Sequence, residues 1–164
     1  MLRILILVVG VLVALILLLI AIGYALPINH VATREARLAA PPERVFSVLR
    51  DVEKFPTWRS DVKSAEVLAT TPVLRWRERG DNDITFEMET VKAPGKIVTR
   101  IVDKRLAFGG SWTYDLSPEG GGTRLVITEN GEVYNPLFRF MSRFVFGHTA
   151  TIDKFLEDLG RHVR

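Results

Sequence analysis

The side chains able to do chemistry are few and scattered. The chain has no cysteine and three histidines, His30, His148 and His162, none closely spaced. That removes thiolate nucleophiles, disulfides, iron–sulfur centres and thiolate zinc sites, and it leaves no metal-ligand pattern. Ser142, His148 and Asp153 lie along one stretch at spacings that serve no catalytic triad. There is no Gly-x-Ser-x-Gly elbow, and the Gly120–Gly122 run is a hairpin connection rather than a phosphate cradle, because no helix follows it. What remains is a set of polar groups set among apolar residues: Glu78, Arg100, Glu129 and His148. Glu129 shares parity with Leu125 and Ile127, so a regular strand points it inward; the other reading leaves it past the strand end, in solvent. Arg100 sits among Val98, Ile101 and Val102, and if both it and Glu129 face the cavity they can pair, since a buried charge is tolerated when paired. His148 reads either as a core histidine bonded to backbone or as a ligand-facing acid or base. No residue set calls for a cofactor.

The elements that must position these groups follow from hydrophobic period. Asn29 to Ala40 reads as a strand. Pro41-Pro42 opens a helix whose apolar face is Val45, Val48, Leu49 and Val52, and Phe55-Pro56-Thr57-Trp58 redirects it into a second short helix. From Val62 to Val133 the period is two. Leu74 and Trp76 alternate with arginines, Ile84, Phe86 and Met88 with Thr85 and Glu87, and Trp112, Tyr114 and Leu116 with Ser111, Thr113 and Asp115. Alternation with turns every 8–15 residues predicts an antiparallel sheet covered on one face. Asn135-Pro136 is a cap followed by proline at the first helical position. Phe138, Met141, Val145, His148, Ile152, Phe155, Leu159 and Val163 then predict one long amphipathic helix on the sheet, with a bend placed at Gly147.

Composition places a further segment. The chain has 164 residues, 48% hydrophobic and 25% charged, with mean hydropathy +0.16. The apolar excess is concentrated in Ile4–Leu26, 23 residues without a charge, of which 17 are Leu, Ile or Val. As a helix this run spans roughly 34 Å, against a bilayer core of about 30 Å. It is longer than the usual signal-peptide core, although Gly23-Tyr24-Ala25 has the small-residue spacing of a weak cleavage site. The expectation is an uncleaved single-pass anchor over residues 1–27, with contact to the membrane through residues 4–26, followed by one domain over 28–164. Counting basic residues favours a cytoplasmic domain, whereas the short basic N-terminus favours the opposite face. The net charge of +3 is too balanced to suggest a nucleic-acid partner.

The order strand, two short helices, antiparallel strands and long C-terminal helix resembles the START-like (SRPBCC) polyketide cyclase/dehydrase superfamily. Ala40-Pro41-Pro42-Glu43-Arg44-Val45-Phe46 with Phe55-Pro56-Thr57-Trp58 is similar to that family's entry into its first helices. Gly109-Gly110-Ser111-Trp112-Thr113-Tyr114 with Gly122-Thr123-Arg124-Leu125 is similar to its late hairpin. The resemblance covers about residues 29–164 and none of the anchor. It implies an α+β helix-grip (START/Bet v 1-like) fold, with a curved antiparallel sheet around a long C-terminal helix and a ligand cavity between them. The aromatic alternation suits such a cavity. Its expected lining is Trp76, Phe86, Met88, Arg100, Trp112, Tyr114, Glu129, Phe138, Met141 and His148.

Leu137 to Phe146 holds four of the chain's nine phenylalanines and reads as apolar on more than one face. Leu137, Phe140 and Phe144, flanked by Arg139 and Arg143, are the expected membrane contact or cavity gate. The function expected is a membrane-anchored module holding a hydrophobic small molecule or lipid. The alternatives are a cyclase or dehydratase acting on a polyketide-like aromatic, and a partner-protein domain without ligand. No catalytic set carries over from the resemblance residue by residue.

Overall fold

The computed structural model describes residues 1–164. Helix α1 (Leu2–Ala25) leads into strand β1 (Asn29–Leu38), helix α2 (Pro42–Arg50) and a 3-10 turn at Val52–Thr57. Six strands follow: β2 (Val62–Ala69), β3 (Leu74–Gly80), β4 (Asp83–Lys92), β5 (Lys96–Ile101), β6 (Phe108–Glu119) and β7 (Gly122–Val133). Helix α3 (Pro136–Met141), a π turn (Ser142–Phe146) and helix α4 (Ala150–His162) complete the chain. All seven strands form one antiparallel sheet in the order β1-β7-β6-β5-β4-β3-β2, so the first strand pairs with the last and every other pairing joins neighbours in sequence.

Parity decides which face is buried. Ala32 and Leu38 of β1, Trp76, Met88, Ile97, Tyr114, Leu116, Leu125 and Ile127 turn to one side and are buried there. Helix α2 adds Val45, Val48 and Leu49, the stripe that its period predicts, and α4 adds Ile152, Phe155, Leu156 and Leu159. Thr123 ties the entry of α2 to β7 by donating to the Ala40 carbonyl at 2.7 Å.

The expectation of one long C-terminal helix on the sheet, bent at Gly147, is corrected: the break falls at Gly147, but it separates two helices. Asn135 caps α3 as expected, accepting from the Leu137 and Phe138 amides at 2.9 and 3.2 Å. The chain then passes through the π turn and breaks at Gly147, whose φ of 74° is a left-handed value that a side chain resists. Only α4 lies on the sheet. Helix α3 instead packs on the end of α1, where Gly23 lies so close that a Cβ there would meet the Pro136 carbonyl oxygen at 1.9 Å. Arg139, buried in this joint, donates to the Leu26 carbonyl at 2.9 Å and the Tyr134 carbonyl at 3.2 Å.

A buried carboxylate fastens α4 to the start of the sheet. Asp158 accepts from the Ser60 amide at 2.9 Å and the Ser60 hydroxyl at 2.8 Å, and Arg161 donates to its other oxygen. Burial works against ionisation, but the Ser60 and Arg161 bonds outweigh it and hold the carboxyl below its ordinary value. Asp158→Ala is expected to cost about 2–3 kcal/mol near neutral pH, by stranding the Ser60 donors. Because the native pKa is lowered, this stabilisation exists above about pH 4 and fades as pH falls below that. Chemical denaturation of the full chain in detergent at pH 7 and pH 3 checks both the size and the fading.

Candidate ligand cavity

A cavity of about 580 Å³ lies between the concave face of the sheet and α4, within the range usual for small-molecule sites. Its apolar walls are Phe86, Met88, Ile97, Ile101 and Trp112 from the sheet and Phe155 from α4. Phe155 meets Trp58, Trp112 and Tyr114 at ring-centroid distances of 5.6, 5.6 and 5.9 Å, which fixes the helix side of the wall. Trp76 stacks on Phe86 at 5.1 Å to form the far wall.

Two polar clusters interrupt these walls. At the first, the Trp76 indole N–H donates to Glu78 Oε1 at 2.8 Å, and Arg59 Nη1 donates to the same oxygen at 3.0 Å. Arg59 also binds both oxygens of Asp61, at 3.2 and 2.6 Å, and lies over the Phe55 and Phe155 rings. Burial raises the Glu78 carboxyl above its ordinary value, with Arg59 and Trp76 pulling against it. Burial likewise disfavours the charged Arg59, but Glu78 and Asp61 more than compensate and keep it a cation. Tyr114 is fully enclosed nearby, and burial pushes its phenol up despite a bond to Thr99.

The second cluster is Glu129, His30 and His148. Glu129 faces Trp112 directly across the β6–β7 pair, and its Oε1 lies 3.6 Å from His30 Nε2. His30 stacks on His148 with centroids 4.0 Å apart. Gly131, opposite His30 in register, makes the room: a Cβ there would fall 2.2 Å from the imidazole. Burial pushes the Glu129 carboxyl up to about 7, against a Trp112 hydrogen bond that lowers it. Burial lowers His30, and the neighbouring His148 lowers it further. Burial and then Arg143 lower His148. Near neutral pH this cluster therefore holds one exchangeable acidic proton on Glu129 beside two neutral imidazoles. No group of His, Cys, Asp or Glu is arranged to hold a metal ion.

Of the residues expected to line the cavity, Trp76, Phe86, Met88, Trp112, Tyr114, Glu129 and His148 do so. Three do not. Arg100 is exposed, because Ile97, Thr99 and Ile101 take the inner parity of β5 and put Arg100 on the outer face opposite Glu87. Its expected pairing with Glu129 is thereby replaced by Arg59 with Glu78. Phe138 and Met141 lie on α3, which leaves the sheet for α1, and Phe138 is half exposed to solvent. Sequence reasoning missed His30, Arg59 and Asp61. The parity of Ala32 and Leu38 in β1 carries a signal for His30. Arg59 and Asp61 follow an irregular turn, where no period marks a direction.

The comparisons with known proteins agree with this geometry. Residues 29–164 match the family described as polyketide cyclase / dehydrase and lipid transport, and the chain belongs to that family. A START superfamily protein from Mycobacterium smegmatis superposes with a TM-score of 0.67 at 18% identity, over 82% of this chain and 97% of that one. The protein TTHA0849 from Thermus thermophilus gives a TM-score of 0.69 at 24% identity, over 82% and 97%. The di-domain ARO/CYC StfQ from the steffimycin biosynthetic pathway gives 0.68 at 12% identity, over 83% of this chain and 51% of that one. At these identities the likeness is one of fold, a START-like helix-grip fold. No curated protein matches the chain.

The raised carboxyl of Glu129 has a measurable consequence. Its native pKa of about 7 lies above the unfolded value near 4.5, so ionising it in the native state costs stability as pH rises between the two. Glu129→Gln removes that cost. The variant should match the native chain below about pH 4.5 and exceed it by about 2–3 kcal/mol above pH 8. Denaturation midpoints across pH 4–9 that moved together for both chains would contradict this.

Proposed function

We propose that the chain is a membrane-anchored binding module that holds a hydrophobic small molecule or lipid in the helix-grip cavity. The observation that carries this reading is an open cavity of about 580 Å³ in which aromatic and aliphatic side chains form continuous walls around two polar clusters. The family's description includes lipid transport, which fits the same class of ligand. The walls supply binding energy by apolar burial, while the clusters orient one end of the ligand. A protonated Glu129 donates a hydrogen bond, so the complementary ligand carries a carbonyl or hydroxyl at that end and not an anion. A partner-protein domain without ligand calls for a core filled by side chains, and the open cavity weighs against it.

Helix α1 serves here as a retained membrane span. It is 24 residues long, with a mean hydropathy of 3.6 over an 18-residue stretch, enough to cross a bilayer by length and composition. Its end is built into the domain through Gly23 against Pro136 and Leu26 against Arg139. Cleavage after Ala25 would remove Gly23 and the packing of α1 on Pro136, leaving only the Leu26–Arg139 contact, which favours retention over a removed signal sequence.

One observation favours a second reading, an enzyme of the cyclase or dehydratase type. Glu129 exchanges a proton near neutral pH while facing the cavity, and the neighbouring imidazoles can accept one. That arrangement suits proton transfer to or from a bound carbonyl compound.

The first test is native mass spectrometry with lipid extraction on the full chain purified from its own host. Ile101 lies on the cavity wall, and Ile101→Trp fills part of the space. The native chain should retain a stoichiometric apolar molecule that Ile101→Trp loses, with the melting temperature of the variant unchanged or higher. Identical bound mass in both chains would place the molecule on the anchor and sink the cavity reading.

A further inference from the structure

Outside α1, the apolar surface is concentrated just after the joint between α1 and α3. Phe138, Phe144, Val145 and Phe146 are 51%, 60%, 57% and 67% exposed. Leu137 and Phe140, expected on the same surface, are half-buried instead. The helix face left open is therefore turned from the one that sequence period assigns.

The depth of this patch follows from the joint. Along α1 only Leu19, Ile20, Ile22 and Gly23 lose exposure, and α3 is the element packed against the helix. Leu19 to Ala25 covers about 9 Å of helix axis, so α3 runs beside the last two turns of the span and not beyond its end. Arg3 and Tyr24, the residues suited to the two interfaces, stand about 32 Å apart along the axis, close to the thickness of a hydrocarbon core. A helix spanning in this register carries α3 to the headgroup–acyl boundary. Arg139 lies over the Tyr24 ring at this level, with its guanidinium given to backbone carbonyls and its Nε without a partner. Arg143 is exposed beside Phe144. Cationic and aromatic side chains together suit that boundary.

The same segment borders one end of the cavity. Ser142, Gly147 and His148 line the cavity, and Phe144 to Phe146 lie between them in sequence. We infer that α3 and its π turn are embedded in the bilayer leaflet from which α1 emerges, and that the rim formed by Ser142, Gly147 and His148 opens onto that leaflet. Ligand then passes between acyl chains and cavity without crossing water. The occupant of the exposed patch is the phospholipid surface, through continuity with the apolar face of α1. This inference rests on the reading of α1 as a retained span.

The absence of native cysteine allows site-directed labelling of the full chain. Single variants Leu12→Cys, Phe146→Cys and Ser64→Cys, each carrying an environment-sensitive fluorophore, are reconstituted in phosphatidylcholine–phosphatidylglycerol vesicles containing nitroxide-labelled lipid. Leu12 reports the span and Ser64 an exposed strand residue. The inference expects nitroxide quenching at positions 12 and 146 and aqueous iodide quenching at 64. Quenching by lipid at 12 with iodide quenching at 146 overturns the inference and leaves the anchor standing. Iodide quenching at both overturns the anchor and the inference together. As a second readout, the double variant Phe144→Ser with Phe146→Ser should slow transfer of an apolar fluorescent probe from vesicles by about tenfold or more, given the burial of two phenyl rings. Transfer of the same probe from detergent micelles should be unchanged, and equal slowing from both sources would overturn the route through the leaflet.

Discussion

The cavity exists because the sheet presents more inward apolar surface than one short helix can cover. Helix α4 is 13 residues long, about 20 Å, and its buried residues Ile152, Phe155, Leu156 and Leu159 fill only part of the concave side. The chain after Asn135 could have supplied more cover, but α3 packs on α1 and the chain turns back to the sheet only after Gly147. Ile84, Phe86, Ile101 and Trp112 are left facing space. Every other feature of the site depends on this mismatch, including the wall residues and the enclosed polar clusters.

Enclosure then determines the chemistry of the polar groups. Glu78 and Glu129 both lose water, and both shift upward, but they are handled differently. Glu78 is given a cation and an indole donor and becomes part of a fixed network with Arg59 and Asp61. Such a network orients its members, and removing one of them strands the rest. Glu129 has no cation, only Trp112 and a neutral imidazole at 3.6 Å, so it keeps its proton up to about pH 7. The first cluster is structural in character, and the second is free to interact with whatever occupies the cavity.

Helix α1 and the domain share a joint. Gly23 removes the side chain that would separate α1 from Pro136, and Arg139 spans from Leu26 to Tyr134. A flexible tether would let the domain tumble relative to α1. A packed joint holds the cavity at one distance and orientation from α1, which is what the proposed exchange of ligand with a bilayer requires.

The amino-acid sequence by itself determined the elements and their buried faces. Alternation over Trp76, Phe86, Met88, Trp112 and Tyr114 reports strand parity, the stripe Val45, Val48 and Leu49 reports a helix face, and the run from Ile4 to Leu26 reports a span-length helix. These are local signals, carried by neighbours two to four residues apart. Tertiary structure alone decided which polar groups meet. Arg100 looked inward because its neighbours are β-branched on both sides, yet register with β4 put it outside. Arg59 entered from an irregular turn to take the role expected of Arg100. His30 reached Glu129 because Gly131 leaves space across the β1–β7 pair. The turn of α3 towards α1 was equally illegible, because Phe138 and Met141 keep helical spacing whether they face a sheet or another helix. A period records that a face is buried, and only the folded chain specifies against what.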